Sequence, residues 1–267
     1  MDIMKIADKL YKVFVVAGSE PLGTAGIQAD MKAIVAAGAV TCIVDEDTTH
    51  VKGVHLIPAD MIAGQIRSFL GDVGADCIKI GMLYSKNIIR LVAGILDEYS
   101  SIPVVVDPVM VTSSGDKLLE EDAVQAYKDY LFPRTSILTP NKKEAEWLCG
   151  KELNEGNIEE CLKDLSRWGN SVIIKSVENR DFFIDYYYNP VEKVMKVYKK
   201  EGIRTRNVNG TGDSFASAIA TFLSKGYGIE FAVAEAERFI QQSIELGARF
   251  KFGKGFGPVY PYYEVQE

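Results

Sequence analysis

Short apolar runs, each ending in a glycine or a polar residue, recur along this chain and alternate with stretches of helical periodicity. The runs lie at residues 13–16, 77–80, 103–106, 136–139 and 172–175. Central strands of a parallel sheet are buried on both faces and are therefore nearly continuously apolar. Strands that alternate with helices are typical of βαβ units. The alternation predicts an α/β fold with a doubly wound, mostly parallel sheet flanked by helices.

The first glycine-rich loop, residues 18–26, follows the first apolar run and opens onto a predicted helix. That helix is expected to extend to about Gly38, with Ile27, Met31, Ile34 and Val35 on its apolar face. The loop matches neither GxxxxGK[ST] nor GxGxxG, so neither nucleotide-binding fingerprint applies.

A further strand is predicted at residues 40–44, followed by a polar loop over 45–50 that contains three consecutive acids. Late in the chain, residues 182–188 and 191–199 flank Asn189-Pro190 and predict an antiparallel hairpin. The antiparallel strands are therefore expected late in the chain. No linker-like segment or internal repeat interrupts the pattern, and we expect one domain over residues 1–267.

The composition excludes several classes of protein. The formal net charge is −7 and the pI is about 5.1, which argues against nucleic acid or an anionic membrane as the main partner. No apolar run approaches the roughly 20 residues of a membrane span, and the N-terminus lacks the pattern of a signal peptide. We expect a cytoplasmic protein.

The cysteines and histidines narrow the chemistry further. The four cysteines are widely spaced without a CxxC pair, and we expect reduced, mostly buried thiols instead of a disulfide or zinc framework. His50 and His55 are the only histidines, so a histidine-based triad or metal site is not expected. Acid–base chemistry must therefore fall to carboxylates.

The segment Asn209-Gly-Thr-Gly-Asp-Ser214 opens onto a helix with an apolar stripe. Gly210 and Gly212 allow positive φ and close approach to a ligand, while the N–H groups at a helix start, here from Thr211 onward, suit an anion. Asp213 offers a carboxylate as a base. The segment alone is equally consistent with a simple helix cap.

Oxygen-bearing side chains follow two other strands. Asp107 follows the apolar run at residues 103–106. Asn141 and Glu144 follow the run at residues 136–139, and their spacing of three would place them on the same face of a helix. Such ligands suit Mg²⁺, and Lys175 at a strand end could lie along a nucleotide phosphate. A capping box formed by Asn141 and Glu144, and a snorkelling lysine, remain alternatives.

Several sequence blocks, in order, resemble the hydroxymethylpyrimidine and phosphomethylpyrimidine kinases of thiamine synthesis, within the ribokinase-like superfamily that also includes pyridoxal kinases. The resemblance covers nearly the whole chain. The blocks are Ala17-Gly-Ser…Gly26-Ile-Gln-Ala-Asp30, Lys79-Ile-Gly-Met-Leu83, Val106-Asp-Pro-Val-Met110, Ser114-Gly-Asp…Leu118-Leu119, Leu138-Thr-Pro-Asn…Glu144-Ala, Gly210-Thr-Gly-Asp213 and Gly253-Lys-Gly-Phe-Gly-Pro258.

The resemblance implies a ribokinase-like fold, ATP and Mg²⁺ as cofactors, a small heterocyclic alcohol as substrate, and a homodimer. It implies that Asp213 is the base and that Gly210, Thr211 and Gly212 form an anion hole, with Thr211 also contacting ATP. Asp107 and Glu144 would organise the metal, and Asn141 and Lys175 would bind ATP. The implied substrate pocket consists of Gly18, Ala25, Asp30, Met82 and Val109.

Three departures from the family pattern leave the substrate open. The pyrimidine-kinase branch usually has cysteine at the position of Asp213, whereas many pyridoxal kinases have aspartate. Residues 45–51 replace the family's ring-contacting Gln-Asn-Thr, and Thr49 or His50 are candidates for that contact. The usual Gly-Gly-His after Lys175 is replaced by residues 176–179. A pyridoxal or pyridoxamine kinase, or a non-catalytic ligand-binding relative, remain the alternatives.

Overall fold

The computed structural model describes residues 10–33, 36–112, 115–120, 122–179 and 182–261. The strands are β1 (Val13–Ser19), β2 (Ala36–Glu46), β3 (Val51–Leu56), β4 (Cys77–Ile80), β5 (Val104–Val106), β6 (Ile137–Leu138), β7 (Ser171–Asn179), β8 (Phe182–Asn189), β9 (Val194–Glu201), β10 (Asn207–Asn209) and β11 (Gly257–Pro258). The helices are α1 (Gly26–Ala33), α2 (Ala59–Asp72), α3 (Lys86–Asp97), α4 (Ala123–Ala126), α5 (Lys142–Cys149), α6 (Ile158–Leu165), α7 (Thr211–Ser224) and α8 (Ile229–Gly247). A π-helical turn (Tyr127–Leu131) and a 3-10 turn (Phe132–Arg134) continue α4.

Nine strands form one sheet in the order β3-β2-β1-β4-β5-β6-β7-β8-β9. The six central strands, β2, β1, β4, β5, β6 and β7, pair in parallel with one another. At the two edges, β3 pairs antiparallel with β2, and β8 pairs antiparallel with β7 and β9. The strand order reverses at β1, which lies between β2 and β4. In such sheets ligands bind beyond the carboxyl ends of the strands near this reversal. The predicted doubly wound, mostly parallel sheet is confirmed.

Helices cover both faces of the sheet because alternate side chains of each central strand point to opposite faces. Phe14 and Val16 of β1 belong to a core cluster shared with helices α2 to α6. Val13 and Val15 belong to a second cluster with α1, α7 and α8. The fold therefore has three layers, and α7 lies on the same face of the sheet as α1.

Helix α1 ends at Ala33, several residues before the predicted end at Gly38, and β2 begins at Ala36. The segment from Ala36 onward forms a strand instead of continuing the helix because it pairs with β1, with Gly38 opposite Val15. A Cβ on Gly38 would come within 2.6 Å of Ile27 Cδ1, so the strand can approach α1 closely only with glycine there. Met31, expected on the apolar face, is exposed, and residues 34 and 35 lie outside the described residues.

The segment expected to be a polar loop is partly strand. Asp45 and Glu46 end β2, and β2 forms an antiparallel hairpin with β3 through a loop of residues 47–50. The exposure alternates from Ile43 to Asp45, with Val44 buried between them, as expected for a half-buried strand. Strand β3 therefore adds an antiparallel strand early in the chain, which the sequence pattern does not indicate. The late hairpin, β8 with β9, is confirmed.

The cysteines also differ from the prediction. Cys149 at the end of α5 and Cys161 in α6 form a disulfide, with their Cα atoms 6.1 Å apart, because these two helices pack against each other. Cys42 and Cys77 are free and buried, as expected. None of the described helices is long and apolar enough to cross a membrane.

The disulfide can be tested by counting the free thiols of the protein. Alkylation of the denatured protein without reductant should label Cys42 and Cys77 alone, and reduction should add two labels. Closing a loop of this size stabilises a protein by about 3 kcal/mol, so reduction should also lower the melting temperature. Cys161→Ser is the matched control, with three labels with or without reductant. Four labels on the unreduced wild type would contradict the disulfide.

Candidate active site

A cavity of about 730 Å³ lies along the carboxyl edge of the sheet. Its walls come from the segments that follow β1, β4, β5 and β6, from β7, and from the start of α7. The residues predicted from the sequence that line it are Gly18, Ala25, Met82, Asp107, Val109, Asn141, Glu144, Lys175, Gly210, Thr211, Gly212 and Asp213. The parallel strands bring these residues together because their carboxyl ends meet at one edge.

Helix α7 starts at this edge through a glycine turn. Gly210 precedes the helix with φ +75°, and a Cβ there would come within 2.3 Å of Thr24 O. Gly212 also approaches charged groups, since its Cβ would lie 3.0 Å from Asp107 Oδ2 and 3.3 Å from Lys175 Nζ. The first N–H groups of a helix have no intrahelical acceptor and carry partial positive charge. The start of α7 can therefore receive an anion from the cavity.

Asp213 lies in the first turn of α7, where its carboxylate has two protein contacts. Its Oδ1 accepts a hydrogen bond from Lys79 Nζ at 2.9 Å, and its Oδ2 accepts one from Gly26 N at 3.1 Å. The side chain is largely buried but reaches the cavity wall. These contacts fix the orientation of a carboxylate that a ligand can still reach.

Asp30, predicted to contact a substrate ring, does not line the cavity. Its side chain is fully buried under α7, where Oδ1 lies 2.8 Å from Lys79 Nζ and accepts a hydrogen bond from Ser217 Oγ at 2.6 Å. Oδ2 accepts a second bond from Lys79 at 3.0 Å. The oxygens of Asp30 are engaged inside the protein, where they bond to Lys79 and Ser217.

Burial and charge oppose each other in this cluster. Burial disfavours the charged form of Lys79, but Asp213 and Asp30 outweigh it and raise the pKa of Lys79. Burial raises the pKa of Asp30 to about 7, with Asp213 adding to the rise and Lys79 offsetting it. Lys79 is therefore a cation balanced by two carboxylates.

A second ion pair lies across the cavity. Lys175 Nζ is 2.8 Å from Asp107 Oδ1, which also accepts a hydrogen bond from Thr139 Oγ1 at 2.9 Å. The pairing of β7 with β8 shifts register between Ile174 and Val177, and Ser176 within this irregularity has φ +61°. Lys175 lies in the same stretch, with its Nζ close to Gly212 at the start of α7.

Asn141 and Glu144 form the capping box of α5, which the sequence left open as the alternative to a ligand-binding role. Asn141 Oδ1 accepts from Glu144 N at 3.0 Å, and Glu144 Oε2 accepts from Asn141 N at 2.8 Å. Glu144 Oε1 accepts from Met110 N at 3.3 Å. Burial raises the pKa of Glu144 to about 8. The negative charge of Asp107 adds to this rise, and the positive charge of Lys175 partly offsets it. Both residues also line the cavity, and capping therefore does not exclude a role toward ligands.

Within the described part of the chain, no group of three or more His, Cys, Asp or Glu side chains is placed to hold a metal ion. Asp107 Oδ1 and both oxygens of Glu144 already accept hydrogen bonds. The donor set therefore fits a hard cation that keeps most of its ligands from water and phosphate, as Mg²⁺ does, better than a cation bound by protein alone.

Two loops close the cavity above the end of β2. Thr48 O accepts a hydrogen bond from Phe256 N at 2.8 Å, and Thr48 Oγ1 accepts from Lys254 N and Gly255 N. A Cβ on Gly255 would lie 1.9 Å from Thr48 O, so this contact requires glycine. The glycine-rich C-terminal loop thus packs directly on the hairpin loop.

Glu46 is a cavity residue that the sequence reading missed. It lies at the end of β2 on the cavity wall, whereas Thr49 and His50, the candidates for a ring contact, do not line the cavity. Burial, with the charges of Glu20 and Asp116 adding, raises the pKa of Glu46 to about 7. The run of three acids suggested a solvated loop, and only the strand alternation could have indicated that Glu46 points inward.

Comparisons with known proteins agree with this geometry. Residues 20–260 match the family described as phosphomethylpyrimidine kinase. The chain is 36% identical over 259 residues to the thiamine biosynthesis bifunctional protein ThiED of Geobacter sulfurreducens, covering 92% of this chain and 51% of that protein. It is 33% identical over 264 residues to the hydroxymethylpyrimidine/phosphomethylpyrimidine kinase of Mycobacterium tuberculosis, covering 95% of this chain and 94% of that one.

A solved structure gives the same fold. The pyridoxal kinase of Staphylococcus aureus in complex with AMP-PCP superposes with a TM-score of 0.86 at 29% identity, covering 97% of this chain and 96% of that chain. The chain spans about half or less of the length of the first multifunctional relatives that it matches. The family match extends over most of the chain and includes the cavity-lining residues from Glu20 onward, leaving out only Gly18 and Ser19 at the end of β1. The chain belongs to the phosphomethylpyrimidine kinase family, with a ribokinase-like fold.

Proposed function

We propose that the protein is an ATP-dependent kinase that phosphorylates the hydroxymethyl group of a small aromatic heterocycle. The preferred substrates are hydroxymethylpyrimidine and its monophosphate, in thiamine biosynthesis. The observation that carries the proposal is the position of Asp213, a carboxylate in the first turn of a helix that opens onto the cavity. That position combines a proton acceptor with an anion-binding helix start.

The residues divide the reaction between them. Asp213 would accept the proton of the substrate hydroxyl as its oxygen attacks the γ-phosphorus of ATP. The N–H groups at residues 210–213 would stabilise the negative charge that develops on the transferred group. Lys175, in contact with Asp107 and close to Gly212, would contact the nucleotide phosphates, with Asn141 and Thr211 nearby. The substrate ring would lie against Gly18, Ala25, Met82 and Val109.

Mg²⁺ completes this proposal. Asp107 and Glu144 would hold it, chiefly through water, because their oxygens already accept protein hydrogen bonds. The ion would neutralise charge on the nucleotide phosphates during transfer. We further infer that residues 1–267 act as one kinase domain in the cytoplasm.

A pyridoxal or pyridoxamine kinase is the second candidate. It is favoured by Asp213, by the altered 45–51 segment, and by the likeness to a pyridoxal kinase that binds an ATP analogue. Glu46 favours the pyrimidine instead, since a carboxyl group that titrates near pH 7 can donate to a ring nitrogen and accept from an exocyclic amine. Hydroxymethylpyrimidine carries that amine and pyridoxal does not.

We also propose a homodimer, as is common for soluble proteins. Among the described strands, β3 lies at one edge of the sheet, and Ile43 of the neighbouring β2 is exposed. Light scattering on the purified protein measures the mass directly, and a monomer at micromolar concentration would contradict this assembly.

The substrate can be identified with a coupled ADP-release assay on hydroxymethylpyrimidine, its monophosphate, pyridoxal and ribose. We expect turnover with the two pyrimidines and at least tenfold lower kcat/KM with pyridoxal, because only the pyrimidines match Glu46. Preference for pyridoxal would establish the second candidate. The absence of ADP release with all four would indicate a non-catalytic ligand-binding protein.

Replacing the proposed base gives a sharper test of the chemistry. Asp213→Asn preserves the size of the side chain but cannot accept the proton, so kcat should fall by at least 10²-fold. Binding of the heterocycle, measured by calorimetry, should remain within a few-fold of wild type. Turnover close to wild type would remove Asp213 from the base role.

The glycine turn before α7 gives a structural test. Gly210→Ala introduces a side chain at positive φ, which costs about 1–2 kcal/mol, and also pushes against Thr24 O. We expect a lower melting temperature together with a larger loss of kcat than the stability change explains. Gly64→Ala is the control, since Gly64 is exposed within α2 with open space around it and alanine favours helix there. Equal behaviour of the two variants would contradict the role of the turn.

A further inference from the structure

Lys79 lies between two carboxylates that come from different helices. Its Nζ is 2.8 Å from Asp30 Oδ1 on α1 and 2.9 Å from Asp213 Oδ1 on α7. Lys79 and Asp30 are fully buried, whereas Asp213 reaches the cavity. One ammonium group is thus shared between a carboxylate inside the protein and the proposed catalytic base.

This sharing changes what the base can do. A buried carboxylate with an ammonium group to itself is strongly held in the ionised form and accepts a proton poorly. A buried carboxylate without a cation is protonated at higher pH, so that less of it is available as a base. With two carboxylates on one cation, uptake of a proton by Asp213 relieves its repulsion with Asp30, which favours the transfer.

We propose that Lys79 and Asp30 are positioning residues that together set how readily Asp213 accepts the proton of the substrate hydroxyl. This inference rests on the proposed kinase function, and neither residue touches the substrate.

The charges and protons balance through the reaction. Before transfer, one ammonium and two carboxylates carry a net charge of −1. As the new O–P bond forms and the bond between the γ-phosphorus and the ADP oxygen breaks, the hydroxyl proton moves to Asp213. Lys79 and Asp30 then remain as a neutral buried pair, and the proton on Asp213 leaves through the cavity to solvent. No other reactant is needed.

Other charged groups face Asp213 from the surrounding elements. Asp107 after β5 adds negative charge close to Lys79, and Lys175 on β7 pairs with Asp107. Glu46 at the end of β2 also interacts electrostatically with Asp213. These groups affect the wild type and the variants alike, and the comparison between variants therefore isolates Lys79 and Asp30.

A purely structural role is the alternative, because the cluster also joins α1, β4 and α7. Loss of either residue would then lower stability and activity without a defined effect on pH dependence. The proposal instead requires opposite effects. Lys79→Met removes the cation and makes Asp213 easier to protonate, whereas Asp30→Asn leaves Lys79 to Asp213 alone and makes it harder.

The experiment is the pH dependence of the single-turnover rate of phosphate transfer, with saturating Mg²⁺-ATP and the best substrate. For Lys79→Met the acidic limb should move up by at least one pH unit, so that the rate on that limb falls about tenfold. For Asp30→Asn the limb should move down by a similar amount, with a lower plateau because the base is weaker. KM should change by less than threefold in both variants, since neither side chain lines the cavity.

Two further variants complete the design. Cys77→Ala, on the same strand and the same buried face as Lys79, removes packing without changing charge and should not move the limb. Lys79→Arg retains the charge and should keep the limb near its wild-type position. Shifts of both test variants in the same direction, or an unmoved limb with a uniformly lower rate, would overturn the proposal.

A measurement on the ligand-free protein keeps the two proposals separable. The carboxyl ¹³C resonance of Asp213, assigned with Asp213→Asn, should titrate at higher pH in Lys79→Met and at lower pH in Asp30→Asn. If no substrate is phosphorylated, the proposed function fails while this titration still decides the coupling. If Lys79→Met does not fold, Asp30→Asn decides it, and an unmoved midpoint in that variant would refute the inference.

Discussion

A single buried ammonium group connects the parts of this protein that must cooperate. Lys79 projects from the middle of the sheet and bonds to carboxylates on two helices that pack on the same face. An isolated charge at that depth would be strongly unfavourable, and removal of one partner of a buried pair is costly for the same reason. The positions of α1 and α7 are therefore coupled to β4, and the start of α7 is fixed relative to the carboxyl edge of the sheet.

Parallel pairing supplies the rest of the arrangement. The segments after β1, β4, β5 and β6 are distant in the chain, and they reach the same cavity because these four strands are parallel. The glycines act at the few points where backbone must approach backbone, as at Gly210 against Thr24 and Gly255 against Thr48. The first of these contacts places the helix start at the cavity, and the second joins the hairpin loop to the C-terminal loop above it.

The sequence predicts the sheet well because buried parallel strands are apolar on both faces, which makes β1 and β4 recognisable from composition alone. Several of the predicted cavity residues, such as Met82 and Asp107, could be found because they follow those strands closely. The burial of Asp30 could not be inferred, since an acid one turn into a helix is usually exposed, and its partners Lys79 and Ser217 are 49 and 187 residues away. Glu46 and the disulfide were missed for a related reason. A run of acids is usually solvated, and two cysteines twelve residues apart meet only once α5 and α6 have packed.

The aspartate at position 213 has consequences for the whole cluster. The pyrimidine-kinase branch usually has cysteine there, and with a neutral thiol at this position Lys79 and Asp30 would make a balanced pair by themselves. A carboxylate adds a negative charge that the same ammonium must also neutralise, and part of that charge remains uncompensated. Burial raises the pKa of Asp30 to about 7, with Lys79 offsetting the rise and Asp213 adding to it. Aspartate at position 213 therefore changes both the chemistry of the proton acceptor and the electrostatics of the residues behind it.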